Sequence, residues 1–294
     1  MYQIRLQSPF RKQLTVDEFI FSNNIPLDSA EALLCEWAPH KEILSFKGPK
    51  AWYHNEAACR KLFDEPKWRQ FKVDNGGKYL FAPSHPNCAY RIPMITHIGK
   101  LNKLDTKPRI KKAIAIFSNT GLNFSNKSEI NLRNQFILHS KTDLYGRSEN
   151  WEKYMKTVYN KNSLPIQYKG EIDGNWSSQQ KFEYMSRYKV AICLENILED
   201  YYFTEKFVAA AQSGCIPIYH AHETIKYGLL SDARWVDPAD FGFNVSETIN
   251  FALSSDQNEY SKINFKWLEK PEVTNTGLEK IFMRMGNILI NQHG

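Results

Sequence analysis

The sequence has little cysteine and no long apolar run, and each absence narrows what it can be. Five cysteines (Cys35, Cys59, Cys88, Cys193 and Cys215) are scattered over 294 residues with no Cys-x-x-Cys pair. That argues against a disulfide framework or a structural zinc and fits a reducing compartment. No stretch approaches the ~20 apolar residues of a membrane span, and Met1-Tyr2-Gln3-Ile4-Arg5 opens no run of signal-peptide length. A cytoplasmic protein, soluble or at most peripheral to a membrane, is the expectation. Glycine (14) and proline (13) are not in excess, so collagen-like and low-complexity classes fall away. Charge of one sign is also scarce: 38 Lys plus Arg against 32 Asp plus Glu leave +6. So small an excess suits any anionic partner and singles out none, and no nucleic-acid-binding motif accompanies it.

What is present is apolar surface. With 42% hydrophobic and 14% aromatic residues, the chain can offset its conformational entropy and is not disordered. Its length suits one large domain or two of ordinary size. The first hundred residues alternate short apolar runs with turn signals. Ile43-Leu44-Ser45-Phe46, Ala51-Trp52-Tyr53-His54 and Lys78-Tyr79-Leu80-Phe81 read as strands, with a helix from about Glu56 to Phe63. Residues 101–109 are polar and aperiodic, and read as a linker. After them, unbroken runs such as Lys112–Phe117 and Val190–Leu194 suit strands buried on both faces. They alternate with helical stretches at 128–139, 181–188 and 204–213, the last closed by Gly214. The second half is therefore α/β with a parallel sheet, whose ligands bind at the carboxyl ends of the strands. Near the C-terminus, Leu278, Ile281, Phe282, Met285, Ile288 and Leu289 recur at helical spacing and predict a core-facing amphipathic helix.

Chemistry is densest between residues 188 and 219. A strand runs into Glu195-Asn196, then a polar loop, then Tyr202-Phe203-Thr204-Glu205-Lys206 at a helix start. Thr204 is a plausible N-cap, and the helix N-terminus offers unpaired N–H groups. Lys206 in the first turn opposes the helix dipole. That makes sense beside a polyanion such as a nucleotide diphosphate, although a solvated Glu-Lys pair is the plainer reading. His220 and His222 flank Ala221 at a strand end and suggest a metal pair, but no acidic third ligand stands near them in sequence. They read more simply as loop histidines.

The run Tyr188 to Asn196, continued by Tyr202-Phe203-Thr204-Glu205-Lys206, resembles the signature of the glycosyltransferase family 10 fucosyltransferases. Gly214-Cys215-Ile216-Pro217-Ile218 and Trp235 to Phe241 resemble later family segments, and Ser118-Asn119, Arg133 and Tyr145-Gly146 an earlier one. Leu194 stands where Phe is usual, and Tyr201 where Asp or Gly is common. The likeness spans roughly residues 110–245 and is faint upstream.

The resemblance implies an α/β fold of the GT-B type, two Rossmann-like domains facing a cleft. Residues 1–100 would bind the acceptor sugar, 110–270 would bind GDP-fucose, and 271–294 would form a C-terminal helix. It implies fucose transfer with inversion, commonly to the 3- or 4-hydroxyl of N-acetylglucosamine or the 3-hydroxyl of glucose, with α1,3 linkage expected here, without a required metal; a divalent ion would at most stimulate. Arg133, Asn196, Tyr202, Thr204, Glu205 and Lys206 would hold the donor. Glu205 would also steady the oxocarbenium-like sugar, and Glu56 at a strand end would serve as general base. GDP-fucose and a glycan acceptor are the expected partners, with no nucleic acid. A transferase using another nucleotide sugar, or an inactive carbohydrate-binding relative, is the alternative.

Overall fold

The computed structural model describes residues 1–9, 11–36, 41–53, 80–82, 90–91, 108–122, 128–172, 179–275 and 277–291. The chain divides into two units, one of residues 1–95, 201–203 and 275–294, the other of residues 96–200 and 204–274.

In the first unit, β1 (Tyr2–Gln7), β2 (Gln13–Val16), β3 (Phe19–Ser22), β4 (Ala32–Glu36), β5 (Lys50–Tyr53), β6 (Leu80–Ala82) and β7 (Tyr90–Arg91) form a sheet in the order β2-β3-β1-β4-β5-β6-β7. Its pairings are parallel except β2 with β3. The stretch expected as a strand at Ile43 to Phe46 is instead a single helical turn, α1 (Glu42–Ser45). Ile43 and Phe46, three apart, are buried, whereas Leu44 between them is exposed. That is helical spacing, and four apolar residues are too few to tell it from a strand by eye.

The second unit is wound around a five-stranded, all-parallel sheet in the order β10-β9-β8-β11-β12. Its elements follow in chain order: β8 (Ile110–Ile116), α2 (Ser128–Ile137), β9 (Thr142–Tyr145), α3 (Ser148–Tyr159), β10 (Tyr168–Gly170), α4 (Gln179–Ser186), β11 (Tyr188–Ile192), α5 (Glu205–Gln212) and β12 (Ile216–Ile218). Short α6 (Glu223–Lys226) and a 3-10 turn (Pro238–Phe241) lead to α7 (Val245–Ser254), α8 (Gln257–Leu268) and α9 (Pro271–Thr274). Strand order reverses at β8, because β9 and β10 lie on one side of it and β11 and β12 on the other. Ligands of such sheets sit at the carboxyl ends beside that reversal. Here those ends are Ser118-Asn119 after β8 and Glu195-Asn196 after β11.

The last helix, α10 (Leu278–Asn291), belongs to the first unit. Ile281, Phe282, Met285 and Leu289 enter a core with Ile4, Phe21 and Leu34 of the first sheet. A Cβ on Gly286 would stand 2.8 Å from the Phe19 ring, so only glycine lets the helix lie that close. The expected amphipathic helix exists, and its apolar face closes the amino-terminal core from the far end of the chain.

Candidate active site

Beyond β11 the chain passes through buried Cys193 and Leu194 to Glu195 and Asn196. Side chains alternate across a strand, so Glu195 and Asn196 leave on opposite faces of the sheet. Val190, Ile192 and Leu194 lie in the core with residues of α2 and α7, and Asn196 continues that face. Glu195 continues the other, where Tyr219 packs 5.2 Å from Phe207 of α5.

Glu195 is the hub of the α5 face. Its Oε1 accepts hydrogen bonds from Thr204 N at 3.0 Å, Thr204 Oγ1 at 2.6 Å and Tyr219 Oη at 3.3 Å. Its Oε2 accepts from Lys206 Nζ at 2.8 Å. Thr204 is the N-cap of α5, as expected, with Oγ1 accepting from Lys206 N. The basic residue in the first helical turn is thus balanced by a buried carboxylate of the protein itself, a partner that neither the polyanion reading nor the solvated Glu-Lys pair anticipates. Lys181 of α4, buried beside them, is a second ammonium in the cluster, and burial pushes its pKa down while Glu205 pulls it up. For Glu205, burial acts to raise the pKa, but Lys206, Lys181 and the helix N–H outweigh it and hold the carboxyl below its usual range. Two lysines therefore face two glutamates in one cluster.

On the opposite face stands Arg133 of α2. Taken alone it reads as a surface helix residue; in the structure it is fully buried. Its Nη2 donates to the Asn119 carbonyl at 2.8 Å, its Nη1 to Asn196 Oδ1, and its guanidinium lies 5.0 Å from the Phe117 ring centre. Asn134 beside it donates to the Thr120 carbonyl at 3.0 Å. Arg133 therefore spans the strand-order reversal, tying the end of β8 to the end of β11.

The structure brings Thr204, Glu205 and Lys206 together on one face, and Arg133 with Asn196 on the other. Tyr202 is buried and clusters with the first unit. Glu56 and the helix expected around it lie outside the described residues. Glu195, Lys181 and Asn134 were missed as site residues. Strand alternation past Leu194 could have flagged Glu195, whereas nothing in the sequence marks Lys181 as buried.

The two histidines each find an aspartate. His220 Nδ1 lies 2.8 Å from Asp237 Oδ1, and His222 Nε2 lies 2.9 Å from Asp200 Oδ1. The pairs are separate, and no group of three or more potential metal ligands occurs among the described residues. Burial pushes the Cys215 pKa up to about 12 and that of Cys193 well above its usual value, which disfavours the thiolate at both.

A family model described as glycosyltransferase family 10 (fucosyltransferase), C-terminal, matches residues 107–287. The chain belongs to this glycosyltransferase family. The match takes in the whole strand-order reversal and both faces of the site. Among solved structures, an alpha1,3-fucosyltransferase is similar over 98% of this chain and 90% of its own, with TM-score 0.50 and 15% identity. A UDP-forming trehalose-phosphate synthase from Burkholderia xenovorans is similar over 92% of this chain and 76% of its own, with TM-score 0.57 and 13% identity. At such identities the likeness speaks for the fold, which is of the GT-B type with two Rossmann-like units. Comparison with curated proteins finds no match. No helix among the described residues is long and apolar enough to cross a membrane.

Proposed function

We propose that this family member transfers fucose from GDP-fucose to a sugar hydroxyl, with inversion, in α1,3 linkage to N-acetylglucosamine or glucose of a glycan. The observation that carries this reading is the Glu195–Thr204–Lys206 network at the carboxyl end of β11, which fixes the Thr-Glu-Lys turn at the start of α5.

In the proposed reaction the acceptor hydroxyl gives its proton to Glu56 as its oxygen bonds to the anomeric carbon of fucose. The bond from that carbon to the diphosphate breaks, and GDP departs carrying the charge. Preorganised cations must meet that charge where it develops. Arg133 and Lys206 supply positive charge, and the α5 N-terminus supplies N–H groups. Asn196 and Glu205 hold ligand hydroxyls, Glu205 as an ionised and therefore acceptor-only group. None of these roles calls on a metal.

The test is GDP release with GDP-fucose beside GDP-mannose, UDP-glucose and UDP-N-acetylglucosamine, each with a panel of glycan acceptors. Acceptor-dependent release from GDP-fucose alone is the expected result. Preference for a uridine sugar would overturn the donor assignment, and binding without turnover would favour the carbohydrate-binding alternative.

A further inference from the structure

Residues 197–203 join Asn196 to Thr204, so the path of this loop decides where the Thr204-Glu205-Lys206 turn begins. Its middle is strained. Tyr201 stands at φ +59°, in the left-handed region, although it is not a glycine. There a Cβ crowds a neighbouring carbonyl oxygen, and Asn or Asp tolerates the position better than an aromatic residue does. Such a conformation persists only where the surroundings over-determine it. At this residue the chain turns inward: Tyr201 is exposed, whereas Tyr202, Phe203 and Thr204 are buried.

On the carboxyl side of Tyr201 the turn is held by Glu195, which accepts from Thr204 N and Thr204 Oγ1. On the amino side the hold comes from Asp200, whose Oδ1 lies 2.9 Å from His222 Nε2. The imidazole is itself fixed, because His222 caps α6 and its Nδ1 accepts from Thr224 N at 3.3 Å. A ring nitrogen that accepts carries no proton, so the proton sits on Nε2 and is donated to Asp200. The α6 turn is seated in its place by buried Ile225 and by Lys226, 3.5 Å from Asp237. The residue just before the strained position is thereby tied to an anchored segment beyond β12.

We propose that the Asp200–His222 pair is a latch: it holds Tyr201 in its left-handed conformation and so positions the Thr204-Glu205-Lys206 turn for the donor nucleotide. Asp200 and His222 are positioning residues that act through the backbone of the turn. The inference rests on the reading that this turn meets a nucleotide, and the experiment separates the two. Both members of the pair reach solvent, with side chains 33% and 59% exposed. Its leverage is that of a surface ion pair, so an effect of about fivefold in affinity is expected.

GDP and UDP affinities are measured by calorimetry for the wild type, His222→Ala, Tyr201→Gly and Tyr201→Ala, and for His222→Ala combined with each Tyr201 change. Far-ultraviolet circular dichroism serves as the folding control. Tyr201→Gly and Tyr201→Ala lose the same ring, but only glycine adopts the left-handed conformation freely, so their difference reads the backbone alone. The expected result for His222→Ala is a loss of about fivefold in GDP affinity, the same loss in the Tyr201→Ala chain, and less than about twofold in the Tyr201→Gly chain. Wild-type affinity in His222→Ala would overturn the proposal. So would an equal loss in all three chains, because the pair would then act on something other than the left-handed residue. If the wild type binds UDP and not GDP, the donor reading fails, and the same comparison made with UDP decides the latch. Binding of neither would overturn both.

Discussion

Glu195 decides the geometry of the α5 face more than any other residue. It is buried with Lys206 as ion-pair partner, so removing one member strands the other in a poorly hydrated place. Glu195→Ala is expected to cost about 3 kcal/mol of stability in urea unfolding, and to weaken nucleotide binding as the Thr204 turn loosens. Glu205 acts through pH. Its folded pKa lies below the ordinary glutamate value of 4.5, so its contribution is fully present above that value and is lost as pH falls through the depressed folded one. Stability measured from about pH 6 down to pH 3 should therefore fall more steeply for the wild type than for Glu205→Gln. Equal slopes would show that Lys181 and Lys206 do not stabilise this carboxylate. Glu56 carries the kinetic prediction. Glu56→Gln should leave GDP affinity intact and lower kcat roughly 10²–10⁴-fold. Near-wild-type turnover would move the base to another residue.

Among the elements, β8, β11, β12 and α5 were legible because each has an unambiguous local signal. The strands are continuous apolar runs, and α5 is bounded by a Thr cap and by Gly214 at φ +67°. The turn at Glu42–Ser45 was misread because its apolar residues are too few to show a period. Tyr2, Ile4 and Leu6 do alternate in β1, but a short half-buried strand gives a weak signal until its neighbours are known. Glu195 and Arg133 were visible as residue types, yet their partners come from elements 9 to 63 positions away, and pairings across such distances are set by topology. The close packing of α10 gives a direct test. Phe282 is fully buried and meets Phe21 edge-on at 5.0 Å. Phe282→Ala should cost about 3–5 kcal/mol, read as a lower urea midpoint for the unfolding of the first unit. A loss under 1 kcal/mol, within the range of surface substitutions, would mean that α10 is not part of that core.

At the scale of the whole molecule, the two Rossmann-like units give the GT-B fold, and the family match, not the fold, gives the glycosyltransferase. Neither fixes the donor or the linkage. The donor reading depends on protein cations rather than a metal to meet the charge on the departing diphosphate. Activity is therefore expected to persist in EDTA, reduced at most. Complete loss that is restored by a divalent ion would contradict that part of the account. The most direct measurement is nuclear magnetic resonance of the product formed from GDP-fucose and an N-acetylglucosamine-containing acceptor. The account predicts a single fucoside, attached through a sugar hydroxyl, with anomeric configuration opposite to that of the donor and one GDP released per linkage. Retained configuration, or no transfer from GDP-fucose where another nucleotide sugar is used, would contradict it.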